Sequence, residues 1–238
     1  MKLKSLPMIQ KLILFDIDGT LLSPGILPRQ ILNRAFLEIT GGNPDLQFAD
    51  VAGLTDPLII TNGLKKLGIT DGVIPKLTVA ILERYLVDME RDYPQSDLPV
   101  LYRDALDFLD AVQAERHVTA LLTGNVEAGA KIKLDRFGLF DRFAFGAYGD
   151  DSADRTKLPG VARVRAREVL GTEFRFEDLI IVGDTPNDAR VAALAGACSV
   201  IVCRRPEWEQ EIWQAGADLV VPSLTATDTL LKKITDFQ

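Results

Sequence analysis

From about residue 100 onward the chain repeats one pattern that restricts its fold more than any other feature. Short apolar runs alternate with segments of helical periodicity. The runs are Val118 to Leu122, Phe143 to Phe145, Leu179 to Val182, Ser199 to Cys203 and Asp218 to Val221. Between them lie Val126 to Phe137, Gly160 to Leu170, Asn187 to Ala195 and Glu207 to Ala215, with Gly138, Gly171, Gly196 and Gly216 as helix stops. Runs that are continuous rather than alternating suit strands buried on both faces of a parallel sheet, and Lys11 to Phe15 adds one more at the start. The pattern predicts an α/β fold of repeated βαβ units.

Residues 23–98 interrupt it and hold no convincing strand. Ile31, Ala35, Phe36 and Ile39 mark one helix face, and Leu77, Ile81, Tyr85 and Met89 mark another at steps of four. Thr55 or Asp56 caps a further helix, with Pro57 in its first turn. The simplest organisation is a helical domain at 23–98 inserted after the first strand of a core formed by 1–22 and 99–238. A chain of 238 residues has room for both.

Net charge and cysteine usage narrow the partners. A formal charge of −7 offers no basic track for nucleic acid or an anionic membrane, so an anionic substrate must be met by a local cation or metal. Cys198 and Cys203 are five apart in an apolar run, an odd spacing that puts them on opposite faces of a strand and reads as two inert core thiols. The segment Met1 to Phe15 lacks the apolar stretch and cleavage site of a signal peptide, and no run approaches the roughly 18 apolar residues of a spanning helix. The expectation is a cytoplasmic protein, monomer or homodimer, acting on a small molecule. His117 reads as a surface residue without a role, Trp208 and Trp213 as packing residues of one helix, and Arg204 and Arg205 as a solvated loop.

Three of the apolar runs end in short polar signatures: Asp16-Ile17-Asp18-Gly19-Thr20, Thr123-Gly124-Asn125, and Gly183-Asp184-Thr185-Pro186-Asn187-Asp188. Ligands of open parallel sheets bind outside the carboxyl ends of the strands, so these signatures belong together if their strands are neighbours. Converging carboxylates repel unless a cation neutralises them, and oxygen ligands of this kind suit Mg²⁺. Asp16 and Asp184 are the natural metal carboxylates. Asp18, two residues from Asp16, can face the same substrate. That permits Asp16 to attack phosphorus while Asp18 protonates the leaving oxygen and later deprotonates water.

On these residues the chain resembles the haloacid dehalogenase superfamily nearly end to end, which implies a Rossmann-like core with a helical cap inserted after the first strand. The resemblance makes Asp16 nucleophile and metal ligand, and Asp18 acid/base with its backbone carbonyl on the metal. It makes Thr123, with Gly124 and Asn125, the holder of the phosphoryl oxygens. It also puts Asp184 on the metal and Asp188 behind it, orienting a metal-bound water or a lysine. The superfamily's third motif is a cation beside the nucleophile, usually a Lys next to Pro. In Arg155-Thr156-Lys157-Leu158-Pro159 a leucine intervenes; Lys157 is preferred and Arg155 is the alternative, also a candidate substrate contact. In the cap, Asp56 is a candidate substrate contact if it does not merely start a helix.

The resemblance implies a Mg²⁺-dependent phosphohydrolase of small phosphate monoesters, in the phosphoglycolate-phosphatase-like branch. A phosphosugar mutase shares every core residue and remains the alternative. A 2-haloacid dehalogenase is disfavoured because that chemistry needs no second aspartate and Asp18 is present. A non-catalytic regulatory member is disfavoured because no core carboxylate is missing.

Overall fold

The structure is a computed structural model and describes residues 10–237; Met1 to Ile9, weighed above for a leader segment, lie outside it. In chain order the elements begin with β1 (Leu12–Phe15), β2 (Leu22–Ser23), α1 (Leu27–Thr40), α2 (Asp56–Lys66), α3 (Ile74–Asp92) and β3 (Val100–Leu101). There follow α4 (Arg103–Ala114), β4 (Val118–Leu122), α5 (Glu127–Asp135), β5 (Gly146–Ala147), α6 (Leu158–Leu170) and β6 (Leu179–Gly183). The chain closes with α7 (Pro186–Ala195), β7 (Cys198–Val202), α8 (Glu209–Gln214), β8 (Leu219–Val221) and α9 (Thr227–Asp236).

Six strands form one parallel sheet in the order β5-β4-β1-β6-β7-β8. Side chains alternate across a strand, and β1 therefore feeds both faces. Ile13 and Phe15 pack with Phe108 and Leu109 of α4, Leu134 of α5 and Ile234 of α9. Leu12 and Leu14 pack with Ala162 of α6 and Val191 of α7. Coverage on both sides explains why every residue of β1 is apolar and buried. Gly138, Gly171, Gly196 and Gly216 all adopt the left-handed conformation expected of helix stops.

Helices α1, α2 and α3 pack around a core of their own that includes Ile31, Phe36, Ile60, Ile81, Tyr85 and Met89. Gly63 is required there, because a Cβ on it would collide with the Phe36 ring. Burying that ring contributes about 1.5–3 kcal/mol. Asp88, fully buried, accepts from or pairs with Arg34 of α1 and with Arg84 and Arg91 of α3, which clips the two longer helices together. Ile39, read as part of the α1 face, is exposed in its last turn.

Several readings need correction. The segment read as strandless is flanked by a two-stranded antiparallel pair, Leu22 opposite Leu101 and Ser23 opposite Val100, which brings the ends of the helical insertion side by side. Strands of two residues are too short to leave a periodic signal. The edge strand lies at Gly146–Ala147 rather than Phe143 to Phe145, since Phe143 turns inward to pack on Phe15 with ring centroids 6.0 Å apart. His117 is buried, not on the surface: its Nδ1 accepts the Lys11 backbone N–H at 3.2 Å, and burial lowers its pKa from the ordinary value. Trp213 is exposed instead of packed, whereas Trp208 stacks on Phe48 of the insertion at 5.7 Å. Both cysteines are free thiols.

Candidate active site

The order β4-β1-β6 makes the three signature strands neighbours, so Thr123, Asp16 and Asp184 follow the carboxyl ends of adjacent strands. The Asp16 backbone N–H donates to the Val182 carbonyl at 2.9 Å and keeps the residue in register with β6. Gly19 takes a positive φ of 88°, and a Cβ there would collide with the Asp184 carboxylate, so only glycine lets the turn after Asp18 lie against that group.

Asp16, Asp184 and Asp188 are all buried, and a carboxylate oxygen from each lies within 4.8 Å of the others. Arg155 is the cation inserted among them: its guanidinium is 3.2 Å from Asp16 and 2.5 Å from Asp188. Lys157 is exposed at the far side of the same short turn, so the guanidinium of Arg155 occupies the position expected for Lys157. The reason is local. Asp154 caps a tight turn over Arg155–Lys157, which aims Arg155 and the buried Leu158 inward and leaves Thr156 and Lys157 outside.

Asp188 is saturated. One oxygen meets Arg155, and the other accepts from the Asp184 and Thr185 backbone N–H groups and the Thr185 hydroxyl. Asp16 and Asp184 keep oxygens for another ligand. Burial pushes the Asp16 carboxyl up to about 6, opposed by Arg155 and reinforced by Asp188 and Asp18. Asp184 is driven well above the ordinary carboxylate range by burial first, then by Asp188 and Asp16. Three carboxylates against one guanidinium leave this pocket electron-rich, and hard oxygen donors of that kind fit Mg²⁺.

Asp18 stands beside the cluster in a different environment. Its Oδ2 accepts from Lys133 at 2.5 Å and from Asn125 at 3.1 Å, while its buried Oδ1 has no partner among the described residues. Asn125 also donates to the Thr123 hydroxyl oxygen at 2.9 Å and accepts from Lys133 at 2.5 Å. Because the Asn125 backbone N–H adds a second donor to that oxygen, the Thr123 hydroxyl is left to donate its own hydrogen. Lys133 was not singled out by motif reasoning. The signal available was a lysine on the buried stripe of α5, three residues after Ala130 and beside Leu134.

Opposite this floor stands the helical insertion. Thr55 caps α2, accepting from the Leu58 N–H at 3.4 Å, and Asp56 faces the seam, where its carboxylate accepts the Val126 N–H at 2.9 Å. Burial raises the Asp56 carboxyl to about 6, partly offset by Lys133. Gly124 has no space for a Cβ because the Leu54 carbonyl lies against it, and Asn187 donates to the Gly53 carbonyl. Between insertion and sheet lies a cavity of about 610 Å³ that reaches Asp16, Asp18, Thr123, Arg155 and Asp184. Arg204, expected in a solvated loop, instead donates to the Gly19 and Thr20 carbonyls and pairs with Asp104 at 3.0 Å, fixing the turn that carries Asp18.

A parallel sheet roofed by helices, with aspartates at adjacent strand ends and a cation between them, defines an α/β scaffold with a buried acidic site. Residues 10–196 match the haloacid dehalogenase-like hydrolase family, and the chain belongs to it. The chain is 26% identical over 236 residues to the phosphoglycolate phosphatase of Nitrosospira multiformis, a match covering 95% of this chain and 98% of that one. Among solved structures it resembles a predicted phosphoglycolate phosphatase from Haemophilus somnus, with a TM-score of 0.69 at 18% identity over 94% of this chain and 99% of the other. A protein described as a β-phosphoglucomutase from Thermotoga maritima gives a TM-score of 0.61 at 18% identity over 94% and 99% of the two chains. These two likenesses establish the shared fold. No helix among the described residues is long and apolar enough to cross a membrane.

Proposed function

We propose that the protein is a Mg²⁺-dependent phosphatase of small phosphate monoesters that works through an aspartyl phosphate on Asp16. The observation that carries this reading is the pairing of two aspartates in different environments over one cavity: Asp16 against Arg155 and Asp184, Asp18 against Lys133 and Asn125. Two carboxyl groups held apart in this way suit two roles.

Asp16 and Asp184 would hold the Mg²⁺, with the backbone carbonyl of Asp18 expected as a further ligand, and Asp188 would stay behind them on Arg155. The ion would supply charge neutralisation for the phosphoryl oxygens and the converging carboxylates. The chain's own residues do the rest. Arg155 holds the Asp16 carboxylate in place, and an Asp16 oxygen attacks phosphorus as the ester P–O bond breaks. The Thr123 hydroxyl and the N–H groups of Gly124 and Asn125 receive the phosphoryl oxygens. Oδ2 of Asp18 is occupied by Lys133 and Asn125, which leaves Oδ1 as the oxygen that would pass a proton to the leaving group. Asp18 then takes a proton from water, which attacks phosphorus, breaks the bond to Asp16 and releases phosphate. Asp56 closes the seam between roof and floor rather than capping α2, and a cavity of about 610 Å³ suits a small phosphorylated metabolite.

The test uses p-nitrophenyl phosphate and an alkyl phosphate with Mg²⁺. Asp16→Asn is expected to abolish turnover of both while the protein stays folded. Asp18→Asn is expected to lose about 10² to 10⁴-fold on the alkyl ester and far less on the nitrophenyl ester, whose leaving oxygen needs little protonation. Equal losses on the two esters would remove the acid role from Asp18. Transfer of the phosphoryl group back to a sugar, without phosphate release, would make the enzyme a mutase.

A further inference from the structure

The turn that carries Asp18 is held by a side chain to which the reaction above gives no part. After Asp18 the backbone N–H groups of Leu21 and Leu22 reach back to the Ile17 carbonyl at 2.9 and 3.1 Å. The Gly19 and Thr20 carbonyls are left without a backbone donor among the described residues. Arg204, two residues beyond β7, serves both: its Nε donates to Gly19 at 2.8 Å and a terminal nitrogen to Thr20 at 3.3 Å. The same guanidinium meets both oxygens of Asp104, in the first turn of α4, at 3.0 and 3.3 Å. Its face lies 3.7 Å from the centre of the Tyr102 ring. Asp104 is fixed in turn by the Ser223 hydroxyl at 3.0 Å and the Leu224 N–H at 2.9 Å. A planar fork can serve two carbonyls, a carboxylate and an aromatic face at once, which an ammonium group cannot.

The contact falls where the roof joins the floor. Asp18 to Leu21 run directly into β2, and Tyr102, whose N–H donates to the Leu21 carbonyl at 3.0 Å, directly follows β3. Through β2 and β3 the chain enters and leaves the helical insertion, so a displacement of the roof passes first to the residues that carry Asp18. Arg204 ties those residues to the end of β7, to α4 and to the segment after β8, all parts of the sheet domain. Proton transfer needs such anchoring, because a misplacement of about 1 Å can cost roughly 10²-fold in rate.

We propose that Arg204 is a positioning residue for the acid step: acting through the Gly19 and Thr20 carbonyls, it keeps Asp18 aimed at the leaving oxygen whatever the roof does. This rests on the phosphatase reading and adds to it a residue that touches neither substrate nor reacting atoms.

The experiment compares kcat/KM for propyl phosphate and p-nitrophenyl phosphate in wild type, Arg204→Gln and Arg204→Lys, the last keeping a charge opposite Asp104. Both variants are expected to lose about 10- to 100-fold on the propyl ester and less than about threefold on the nitrophenyl ester, whose leaving oxygen needs little protonation. In an Asp18→Asn background the further change on the propyl ester is expected to be less than about twofold, since the acid to be positioned has gone. Equal losses on the two esters, or full additivity with Asp18→Asn, would reduce Arg204 to a structural role. Wild-type behaviour of Arg204→Lys would overturn the need for the fork. Amide hydrogen exchange over residues 17–22 reads the anchoring without turnover, and it is expected to quicken in Arg204→Gln. Unchanged exchange there overturns the proposal. A wild-type protein that hydrolyses neither ester fails the phosphatase reading, while the exchange still answers for Arg204.

Discussion

At the scale of single residues, side-chain direction decides more than residue type. Lys157 and Arg155 both suit the cation beside the nucleophile, and the distance to the helix-ending Gly171 favours the lysine although Leu158 separates it from Pro159. What spacing does not carry is the turn capped by Asp154, which aims Arg155 at the carboxylates and leaves Lys157 in solvent. Asp188 and Asp16 outweigh the cost of burying the Arg155 charge and hold its pKa above the ordinary value. A lysine in its place would be a point charge unable to span Asp16 and Asp188 with one planar group. Arg155→Lys is therefore expected to lower kcat/KM by roughly 10²-fold, the scale of losing one fixed electrostatic donor, and Lys157→Ala to change it by less than about twofold. Steady-state kinetics on any hydrolysed ester checks the pair, and the opposite ranking would restore Lys157 to the site. Lys133 illustrates a related blind spot: it belongs to no motif read from the sequence, and its meaning emerges only when α5 turns it towards Asp18 and Asn125.

At the scale of elements, the apolar runs are legible because strands buried on both faces must be continuously apolar, and the ends of three of them mark candidate site residues. The pair β2 and β3 was illegible because two-residue strands have no period, although it brings together the two ends of the insertion. The seam between α2 and the loop after β4 was only half legible. Thr55 and Asp56 read as a helix start or as a substrate contact, and the structure gives the cap to Thr55 and turns Asp56 across to Val126. The consequence is a pH effect with a definite sign. With the folded carboxyl at about 6 and an ordinary value of 3.8, the folded state binds the proton more tightly between those values. Stability contributed by this group therefore falls as pH rises through the window, and the penalty is complete above it. Asp56→Asn keeps an acceptor for the Val126 N–H and removes the charge. Its Tm relative to wild type is expected to rise between about pH 4 and pH 7.5. A difference in Tm that does not vary with pH would show that Asp56 carries no strained charge at the seam.

At the scale of the whole molecule, the fold brings together charges that oppose its own stability, as carboxylates at the ends of neighbouring strands must. Asp16, Asp184 and Asp188 are buried within 4.8 Å of one another, and Arg155 is their shared cation. The repulsion left over is visible in the raised Asp184 carboxyl, driven up by burial, Asp188 and Asp16 against the pull of Arg155. Any ligand that binds the folded protein and neutralises the cluster must stabilise it by mass action, about 2.7 kcal/mol at a hundredfold excess over Kd. For a chain of this size that corresponds to a rise of roughly 5–10 °C in Tm. Mg²⁺ added to chelator-treated protein is expected to give such a rise. Asp184→Asn should separate the two halves of the argument: its metal-free Tm should exceed that of the wild type because a buried charge has gone, and its response to Mg²⁺ should vanish because a ligand has gone with it. Differential scanning calorimetry of both proteins, with EDTA and with Mg²⁺, reads all four states. If Asp184→Asn melted lower than wild type in EDTA and still gained the full shift from Mg²⁺, the cation would bind elsewhere, and the cluster at the ends of β1 and β6 would owe its stability to Arg155 alone.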